Sequence, residues 1–405
     1  MNNSLSRRGF ITATSLVAGA SACGFLPVSA AVEPGPVRER KIKLGLVGCG
    51  GRGSWIAQLF RKHGGYEFRA VADYFQTNAD RCGKELGVDQ ARRFSTLSGY
   101  QRLIESGVEA VALEVPPYFF PEHAQAAVEA GLHVYMAKPI AADVPGCLAI
   151  LQAAKTAAAK ERCFLVDYQM PTDPANIEVR KRMQSEGFGK IAQVSTMGIG
   201  SGSNDPPLKD TIEDRLSGLI WVNDIPMGCD YLGNFDIHAI DAALWALGRK
   251  PVAAMGASRV CRPEPHGDAH DVCSVVYEYA DGLVHNHFGQ ALKNHVQGGL
   301  TCTINGQKGF AVLNYWGMAE LHSFDDAFRG EVTNLYEAGA SRNIEAFYRN
   351  ITEGYFGNDT VPRAVDGALV CILGREAAAR RVRLTMDQLL AENRRLEMNL
   401  KGLKT

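Results

Sequence analysis

Residues 41–53, KIKLGLVGCGGRG, limit the possible folds of this chain more than any other stretch. The first half alternates charged and apolar residues, which predicts a buried β-strand. The second half runs into a helical pattern and has the spacing G-x-G-x-x-G, formed by Gly48, Cys49, Gly50, Gly51, Arg52 and Gly53. Glycines at this spacing allow a tight strand-to-helix turn, a close approach of a pyrophosphate and close helix packing. We therefore expect a dinucleotide to bind at the N-terminus of the helix.

An acidic residue ends the second predicted strand. The apolar run 68–72 is followed by Asp73, whose carboxylate can accept hydrogen bonds from the ribose diol of an adenosine. A carboxylate also repels a 2′-phosphate, and Tyr74 and Phe75 follow it with no adjacent arginine. NAD is therefore expected in preference to NADP. The alternative is a structural glycine turn with an ordinary aspartate at a strand end.

The composition is typical of a globular enzyme. The chain has 405 residues, of which 46% are hydrophobic and 21% are charged, and its formal net charge is −1. This length is enough for two or three domains. There is no basic excess, so no nucleic-acid partner is expected. The ten cysteines are scattered without a CxxC pair, which does not indicate a disulfide framework.

Residues 1–32 are interpreted as a twin-arginine signal peptide. Arg7 and Arg8 precede an apolar run, and residues 28–30 (Val-Ser-Ala) fit a small-residue cleavage site. The run is too short and too rich in glycine for a stable membrane span. We therefore expect a periplasmic or otherwise exported protein. The alternatives are a cytosolic start with a chance arginine pair, and lipidation at Cys23.

Residues 40–172 alternate predicted strands and helices. Alternation of this kind predicts an α/β domain with a doubly wound parallel sheet, covered by helices on both faces. Ligands bind at the carboxyl ends of such strands. Several polar or special residues fall at these ends: Asp73, Pro116, Lys138 and Gln169.

The pattern changes after residue 172. Residues 173–385 begin with one helix and continue with alternating strand patterns, which predict a mostly antiparallel sheet with one covered and one open face. Residues 386–405 predict a C-terminal helix. Because an open sheet face usually needs covering, a homo-oligomer, either a dimer or a tetramer, is expected.

Three motifs together resemble one oxidoreductase family. The first is GLVGCGGRG with Asp73. The second, AGLHVYMAKP at residues 130–139, is similar to A-G-K-H-V-x-x-E-K-P, and the third, NFDIHAIDAALWALG at residues 234–248, is similar to D-x-G-x-H-x-I-D-x-x-x-W-x-x-G. The chain resembles the glucose–fructose oxidoreductase, inositol dehydrogenase and rhizopine-catabolism (Gfo/Idh/MocA) family from residue 41 into the C-terminal helices. The resemblance implies a Rossmann domain, an α+β domain with an open-faced antiparallel sheet, and an active site between them above the nicotinamide.

The resemblance also assigns residues. Lys138 matches the lysine of E-K-P, His238 the histidine of the third motif, and Asp241 its second aspartate. Asn234 and Asp236 occupy two further positions of that motif and complete the expected catalytic set. The cofactor is expected to contact the glycine-rich loop, Asp73 and Lys138, together with Val115, Pro116, His123 and Gln169. No metal ligand is assigned.

The sequence departs from the family motifs at several positions. Ala137 replaces the glutamate of E-K-P, so a carboxylate beside Lys138 is missing. Asn234 replaces the first aspartate of the third motif by an amide that cannot act as a base, and Asp236 replaces its glycine. Met170-Pro171 replaces a frequent Arg-Arg pair. Substrate contacts are therefore expected to differ from those of a standard inositol or glucose dehydrogenase.

These residues allow hydride transfer from a sugar carbinol to NAD. The hydroxyl proton must leave, and the charge that develops on the oxygen must be stabilised. His238 can take the proton near neutral pH, while Lys138 holds the same oxygen. Asn234, Asp236 and Asp241 can bind neighbouring hydroxyls or orient the imidazole. Taken alone, a histidine on an apolar helix face is more often a buried core residue.

The leading hypothesis is an exported NAD(P)-dependent oxidoreductase that acts on a CH–OH group of a sugar, glycoside or polyol. Because free NAD is scarce outside the cytoplasm, the cofactor is expected to stay bound and to be recycled in place by a second substrate. One alternative is an NAD-dependent glycosidase with a transient 3-keto intermediate, which needs a further base such as Asp236, Tyr168 or Tyr231. A second alternative is a non-catalytic sugar-binding protein.

Three other groups are weaker candidates. His266 and His270 lie in one loop, where a polar loop is favoured over a metal site. His285 and His287 share one face of a predicted strand, and this face can be turned to substrate or to the core. Residues 205–231 form a long insertion whose carboxylates and aromatic rings either bind sugar or cover the sheet.

Replacing the arginine pair tests the localisation. Arg7→Lys together with Arg8→Lys should leave a folded protein in the cytoplasm, because the export receptor reads the two arginines. Cell fractionation with immunoblotting measures the distribution. The matched control, Arg38→Lys with Arg40→Lys, should be exported like the wild type. Normal export of the Arg7/Arg8 variant would refute the twin-arginine interpretation.

Overall fold

The computed structural model describes residues 38–405. The interpreted signal peptide, with its arginine pair and Cys23, lies outside the described residues, so its interpretation stays a prediction. Within residues 38–405, no helix is both long enough and apolar enough to cross a membrane.

Residues 42–167 form a six-stranded parallel sheet. Its strands are β1 (Ile42–Val47), β2 (Tyr66–Asp73), β3 (Arg93–Ser95), β4 (Ala110–Leu113), β5 (His133–Ala137) and β6 (Phe164–Asp167). The strand order is β3-β2-β1-β4-β5-β6, and neighbouring strands pair in parallel. The direction of winding reverses between β1 and β4, so a crevice for ligands forms at the carboxyl ends there. The predicted Rossmann sheet is confirmed.

Five helices connect these strands: α1 (Gly51–His63), α2 (Gln76–Leu86), α3 (Gly99–Ile104), α4 (Phe120–Glu129) and α5 (Val144–Ala159). Gly64 and Gly87 end α1 and α2 in left-handed conformations, with φ of 77° and 72°. The Asp143 carboxylate begins α5 by accepting a hydrogen bond of 2.8 Å from the Gly146 amide. Short-range signals of this kind explain why the order of strands and helices is readable from the sequence.

The second sheet has nine strands. They are β7 (Ile191–Gly200), β8 (Ala253–Arg259), β9 (Val272–Glu278), β10 (Val284–Ala291), β11 (Gly299–Gly306), β12 (Gly309–Asn314), β13 (Gly317–Ser323), β14 (Ala327–Val332) and β15 (Leu384–Thr385). Their order is β14-β13-β12-β11-β7-β10-β9-β8-β15. The pairs are antiparallel apart from β7 with β10, which are parallel. The predicted, mostly antiparallel sheet is confirmed.

The sequence patterns do not indicate β13 and β14. These two strands form one edge of the sheet, and Glu320 on β13 pairs with Arg329 on β14. Charged side chains are common on edge strands because they discourage pairing with other chains. They also weaken the apolar alternation that reveals a strand in the sequence.

The remaining helices lie before, between and after the strands of the second sheet along the chain: α6 (Pro174–Arg182), α7 (Ile225–Gly228), α8 (Ile237–Leu247), α9 (Leu335–Glu353), α10 (Thr360–Arg380) and α11 (Met386–Glu392). The first eight residues of α8 are buried, because this helix packs on β7, β11 and α10. The predicted helix over residues 386–405 is shorter than expected. It ends at Glu392, where Asn393 takes a left-handed φ of 40°.

Helix α9 packs into the core of the first sheet. Ile344 and Phe347 are fully buried in one cluster with Ile42 and Leu46 of β1. The segment 173–385, which the sequence assigns to the second domain, therefore contributes to the cores of both sheets. Burial of two large apolar side chains from α9 stabilises this arrangement by several kcal/mol, at about 1.5–3 kcal/mol for each.

Candidate active site

The glycine-rich loop joins β1 to α1 at the carboxyl edge of the first sheet. Gly48 has a φ of +95°, and a Cβ atom there would lie 2.4 Å from the Glu114 carbonyl oxygen. A Cβ atom on Gly53 would lie 1.8 Å from the Gly48 oxygen, whereas one on Gly50 or Gly51 would meet no atom within 4 Å. No side chain caps the N-terminus of α1. The loop therefore presents open backbone and free amides, which suit a phosphate group.

Asp73 lies beside this loop at the end of β2. Its carboxylate accepts hydrogen bonds from the Cys49 amide (2.7 Å), the Phe75 amide (2.9 Å) and the Asn78 side chain (3.1 Å). Burial raises the pKa of this carboxyl, while these hydrogen bonds oppose the shift. Arg81 on α2 also reaches the loop and donates to the Cys49 carbonyl at 3.0 Å. Arg81 lies on the helix that follows Asp73. It is therefore close to Asp73 in space but not adjacent to it in the sequence.

Two carboxylates flank Ala137 on neighbouring strands. Ala137 pairs with Asp167 on β6. On the other side, Leu113 pairs with Met136, so Glu114 comes next to Ala137 in the same row. Both carboxylate side chains are fully buried. Ala137 stands where the lysine motif of the family has a glutamate. Carboxylates on both neighbouring strands thus take the place of the missing one.

Arg52 of the glycine-rich loop connects these carboxylates. Its guanidinium donates to Asp167 at 2.6 Å and lies 2.9 Å from Glu114 Oε2. It also donates to the Tyr336 hydroxyl on α9 at 2.8 Å. Burial raises the pKa of Glu114 to about 7, against the opposing charge of Arg52. Arg52, expected as a cofactor contact, therefore also ties the loop to β4, β6 and α9.

Lys138 follows β5 and reaches the second sheet. Its ammonium donates to the backbone carbonyl of Asn234. Asn234 lies in a π-helical turn, Leu232–Asp236, that leads directly into α8. Burial lowers the pKa of Lys138 to about 7; the charge of Arg52 adds to this shift, and that of Asp167 opposes it. The structure thus brings together two of the residues that the sequence assigns to catalysis.

His238 lies in the first turn of α8 and is buried. Its ring centroid is 4.8 Å from that of Tyr315 and 6.3 Å from that of Tyr168. Burial holds the pKa of His238 well below its usual value, and the charges of Lys138 and Arg52 act in the same direction. Within residues 38–405, its Nδ1 has no hydrogen-bond partner. His238 is therefore a neutral imidazole close to a cation, with one nitrogen free for a ligand.

Gln169 joins this site to the carboxylate row. Its amide donates to Asp167 at 2.8 Å, and its oxygen accepts a hydrogen bond of 3.0 Å from the Tyr315 hydroxyl. Tyr315 lies between β12 and β13 and packs against His238. A continuous polar chain therefore runs from Arg52 through Asp167 to the ring beside His238.

Two family models match most of the chain once these features are compared with known proteins. Residues 42–167 match an oxidoreductase family with an NAD-binding Rossmann fold, and residues 177–312 match the Gfo/Idh/MocA C-terminal domain. The chain belongs to the Gfo/Idh/MocA family. It is thus an oxidoreductase by family, with a Rossmann domain that binds NAD.

Three relatives show how far the similarity extends. Levoglucosan dehydrogenase of Pseudarthrobacter phenanthrenivorans is 22% identical over 82% of this chain and 94% of its own. Inositol 2-dehydrogenase 3 of Saccharopolyspora erythraea is 31% identical over 55% of this chain and 57% of its own. The crystal structure of aldose-aldose oxidoreductase from Caulobacter crescentus has a TM-score of 0.68 at 19% identity, covering 85% of this chain and 100% of that one. The shared fold therefore extends across both sheets.

The residues of this Gfo/Idh/MocA chain fit an NAD molecule. Gly50 and Gly51 leave open space in front of the free amides of α1, which would hold the pyrophosphate. Asp73 would accept hydrogen bonds from the ribose diol. The cofactor, when bound, supplies the acceptor for a hydride. Lys138 lies at the same carboxyl edge of the sheet, where such cofactors bind.

Two carboxylates of the third Gfo/Idh/MocA motif have partners outside the Lys138–His238 pair. Asp241 accepts a hydrogen bond of 2.9 Å from Arg363 on α10. Asp236 lies 3.0 Å from Nε2 of His287 on β10 and faces the second sheet. Neither contact orients the His238 imidazole, so the structure does not support that expected role.

The other predicted cofactor residues are placed as follows. Val115 and Pro116 follow β4 next to the glycine-rich loop. His123 instead stacks on Tyr100, with ring centroids 4.0 Å apart, between α3 and α4. Burial lowers the pKa of His123 to about 3. It is a neutral ring packed between helices, and this structure shows no hydrogen bond that would connect it to the loop among the described residues.

A carboxylate of the long insertion is engaged in ion pairs with arginines. The Asp205 side chain is almost fully buried and forms ion pairs with Arg215 (2.8 Å) and Arg262 (3.0 Å). His266 lies 3.2 Å from Arg215, whereas His270 lies 2.6 Å from the Ser258 hydroxyl. The two histidines therefore have separate partners, and the insertion is held to the sheet by buried ion pairs.

Four site residues are absent from the sequence-based prediction. Glu114 and Asp167 end buried strands, and a lone carboxylate at such a position is a signal that the sequence carries. Tyr315 and Tyr336 come from a turn and a helix far along the chain. Nothing near them in the sequence indicates a site, because only the packing of the second sheet and α9 brings them there.

Removing the Asp73 carboxylate should narrow the preference for NAD over NADP. Asp73→Ala should weaken NAD binding by roughly 1.5–3 kcal/mol, the usual contribution of hydrogen bonds to a charged group, and should affect NADP less. Calorimetric titration of nucleotide-free protein with both cofactors measures this change. Asp80→Ala, which removes a carboxylate on α2 that accepts from Gln76, should leave both affinities unchanged. An unchanged preference in Asp73→Ala would contradict the role of Asp73.

Proposed function

We propose that this chain is an exported enzyme that oxidises a CH–OH group of a sugar, glycoside or polyol. The observation that carries the proposal is the approach of Lys138 to the turn that precedes His238, at the edge of the NAD-binding sheet. The relatives support the substrate class, because they are named for levoglucosan and for inositol, two polyhydroxylated compounds. A CH–OH group placed there would have a proton acceptor and a hydrogen-bonding ring beside it.

Lys138 is the group best suited to take the hydroxyl proton. A general base works best when its pKa is close to the working pH, and the pKa of Lys138 is lowered to about 7. The sequence alone favours His238 for this role. However, burial holds the pKa of His238 well below its usual value, and the positive charges beside it act in the same direction. The pKa of Lys138 is closer to neutral pH, which favours Lys138 as the base.

His238 then positions the substrate. As a neutral imidazole it can donate or accept one hydrogen bond, and its Nδ1 is free of partners within the described residues. Arg52, close to the same space, adds positive charge that stabilises an oxygen as it loses its proton. The aromatic rings of Tyr168 and Tyr315 lie beside His238 on this side of the site.

We further propose that the NAD stays bound and is recycled by a second substrate. A cofactor that dissociates would be lost from an exported protein, since little free NAD is present outside the cytoplasm. The name of the structurally similar aldose-aldose oxidoreductase, which pairs two aldoses, is compatible with recycling in place.

The outer face of the second sheet supports the expected homo-oligomer, because Met255, Val284, Phe288 and Phe310 are exposed on it.

The three bases considered for the glycosidase alternative are poorly placed for that role. Elimination after oxidation needs a group that removes a second proton, and Asp236, the carboxylate considered for this step, faces His287 on the sheet. Burial raises the pKa of Tyr168 well above its usual value. The Tyr231 hydroxyl donates to Asn223 at 2.8 Å in the insertion. These contacts favour oxidation over hydrolysis, and the same site residues argue against a purely sugar-binding role.

Nucleotide content tests the bound-cofactor proposal. Denaturing the protein after purification should release about one NAD per chain, because the loop, Asp73 and the helix amides all hold it. Chromatography of the released nucleotide measures the amount, and added labelled NAD should exchange slowly. A nucleotide-free protein that oxidises sugars only with added NAD would refute the tight binding of NAD. The proposed oxidoreductase activity would still stand. A loaded protein that releases sugar from aryl glycosides without an acceptor would favour the glycosidase.

The pH dependence distinguishes Lys138 from His238. Because Lys138 must be uncharged to accept a proton, reduction of the bound NAD by sugar should speed up as the pH rises through about 7. Lys138→Ala should lower the rate of NAD reduction roughly 10²–10⁴-fold and abolish its dependence on pH. His238→Ala should also lower this rate but keep the dependence on pH. Stopped-flow absorbance of NADH measures both. Lys155→Ala, at an exposed position of α5, should behave like the wild type. A pH dependence that survives in Lys138→Ala and disappears in His238→Ala would reverse the assignment.

A further inference from the structure

A buried polar cluster lies where the turn before α8 packs on the second sheet. It consists of Asp236 at the end of the π-helical turn, Cys273 on β9 and His287 on β10, all of which are buried. One carboxylate oxygen, the sulfur and one imidazole nitrogen lie within 4.8 Å of one another. The chemistry proposed above uses none of these three groups.

Two glycines make room for the Asp236 carboxylate. Gly198 on β7 and Gly289 on β10 are paired directly, so they leave one gap across neighbouring strands. A Cβ atom on Gly198 would lie 1.9 Å from Asp236 Oδ1, and one on Gly289 would lie 2.2 Å from Oδ2. Cys273 pairs with Gly289 from the opposite side. The sheet is therefore shaped to hold a carboxylate next to a thiol.

His287 is oriented as a metal ligand would be. Its Nδ1 lies 2.9 Å from the Thr196 hydroxyl, and its Nε2 lies 3.0 Å from Asp236 Oδ2. Metal-binding histidines usually have their second nitrogen bonded to a polar group in this way. Nε2 and the facing carboxylate oxygen are both atoms that coordinate divalent cations, so a cation between them would be bound by both residues.

The cluster also borders a small cavity. Its volume is about 10 Å³, roughly the space of one water molecule, and it is lined by Asp236 and Cys273 together with Asp230, His270 and Arg375. Three ligands from a thiolate, an imidazole and a carboxylate, with a free position toward a cavity, match the zinc sites that keep a water molecule. Sulfur and nitrogen ligands also disfavour magnesium and calcium, which prefer oxygen.

We propose that Asp236, Cys273 and His287 bind a divalent metal ion of the zinc class. Two anionic ligands and a neutral imidazole balance the charge of such an ion, as a buried charge requires. The ion would fix the turn that carries Asn234, whose carbonyl accepts a hydrogen bond from the Lys138 ammonium. The site therefore anchors the active-site turn to the second sheet. It does not depend on the proposed sugar oxidation.

Metal content tests the site directly. The full chain, stripped with a chelator, reloaded with Zn²⁺ and dialysed, should retain about one ion per chain by mass spectrometry. Its Tm should rise on reloading, because a ligand that binds the native state stabilises it. Cys273→Ala and His287→Gln should lose the retained zinc and the rise in Tm. Cys302→Ala, which removes another buried thiol of the same sheet on β11, should keep both.

Cobalt binding by the wild type tests the site even if the variants do not fold. Co²⁺ added to the stripped wild type should produce a thiolate-to-cobalt charge-transfer band, since Cys273 is the proposed sulfur ligand. If Cys273→Ala folds, the band should be absent from its spectrum. A wild type that retains no Zn²⁺ and shows no such band would overturn the proposal. Loss of Zn²⁺ from Cys302→Ala to the same extent as from Cys273→Ala would also overturn it.

Discussion

The contact between the Lys138 ammonium and the Asn234 carbonyl holds the two halves of the site together. Lys138 follows β5 of the NAD-binding sheet, and Asn234 lies in the turn that leads into α8 on the other sheet. A charged amine that is withdrawn from water needs a hydrogen-bond partner, so this contact limits how far α8 can move from the glycine-rich loop. Because His238 follows in the same helix, its distance from the cofactor edge depends on the same contact.

The negative charge near Lys138 comes from neighbouring strands and not from the lysine motif itself. The family motif has a glutamate directly before the lysine, whereas this chain has Ala137 there and carboxylates on both sides, Glu114 and Asp167. Arg52 lies between these carboxylates and contacts both. Burial and the charge of Arg52 lower the pKa of Lys138, and the carboxylates oppose this shift, so the pKa comes to about 7. Parallel strands make this exchange possible because their carboxyl ends meet at one edge.

The π-helical turn Leu232–Asp236 serves both sides of α8. Asn234 faces Lys138, whereas Asp236 faces the second sheet and His287. In the family motif the position of Asp236 is a glycine, and here the paired glycines of β7 and β10 provide the missing space. A substitution in the motif is thus accommodated by residues on the sheet opposite. Any group bound at Asp236 would act on the same turn that positions the active site.

The sequence by itself determined the glycine-rich loop, the order of strands and helices and the motifs around Lys138 and His238. Each of these is encoded in a few consecutive residues whose geometry depends little on the rest of the chain. Only the tertiary structure decided which charged groups meet: Glu114 and Asp167 at Arg52, and His287 at Asp236. Strand register and helix packing bring these atoms together, and both follow from the whole core and not from a local pattern. For the same reason, the lowered pKa of Lys138 and the direction of Asp236 were not readable from the sequence.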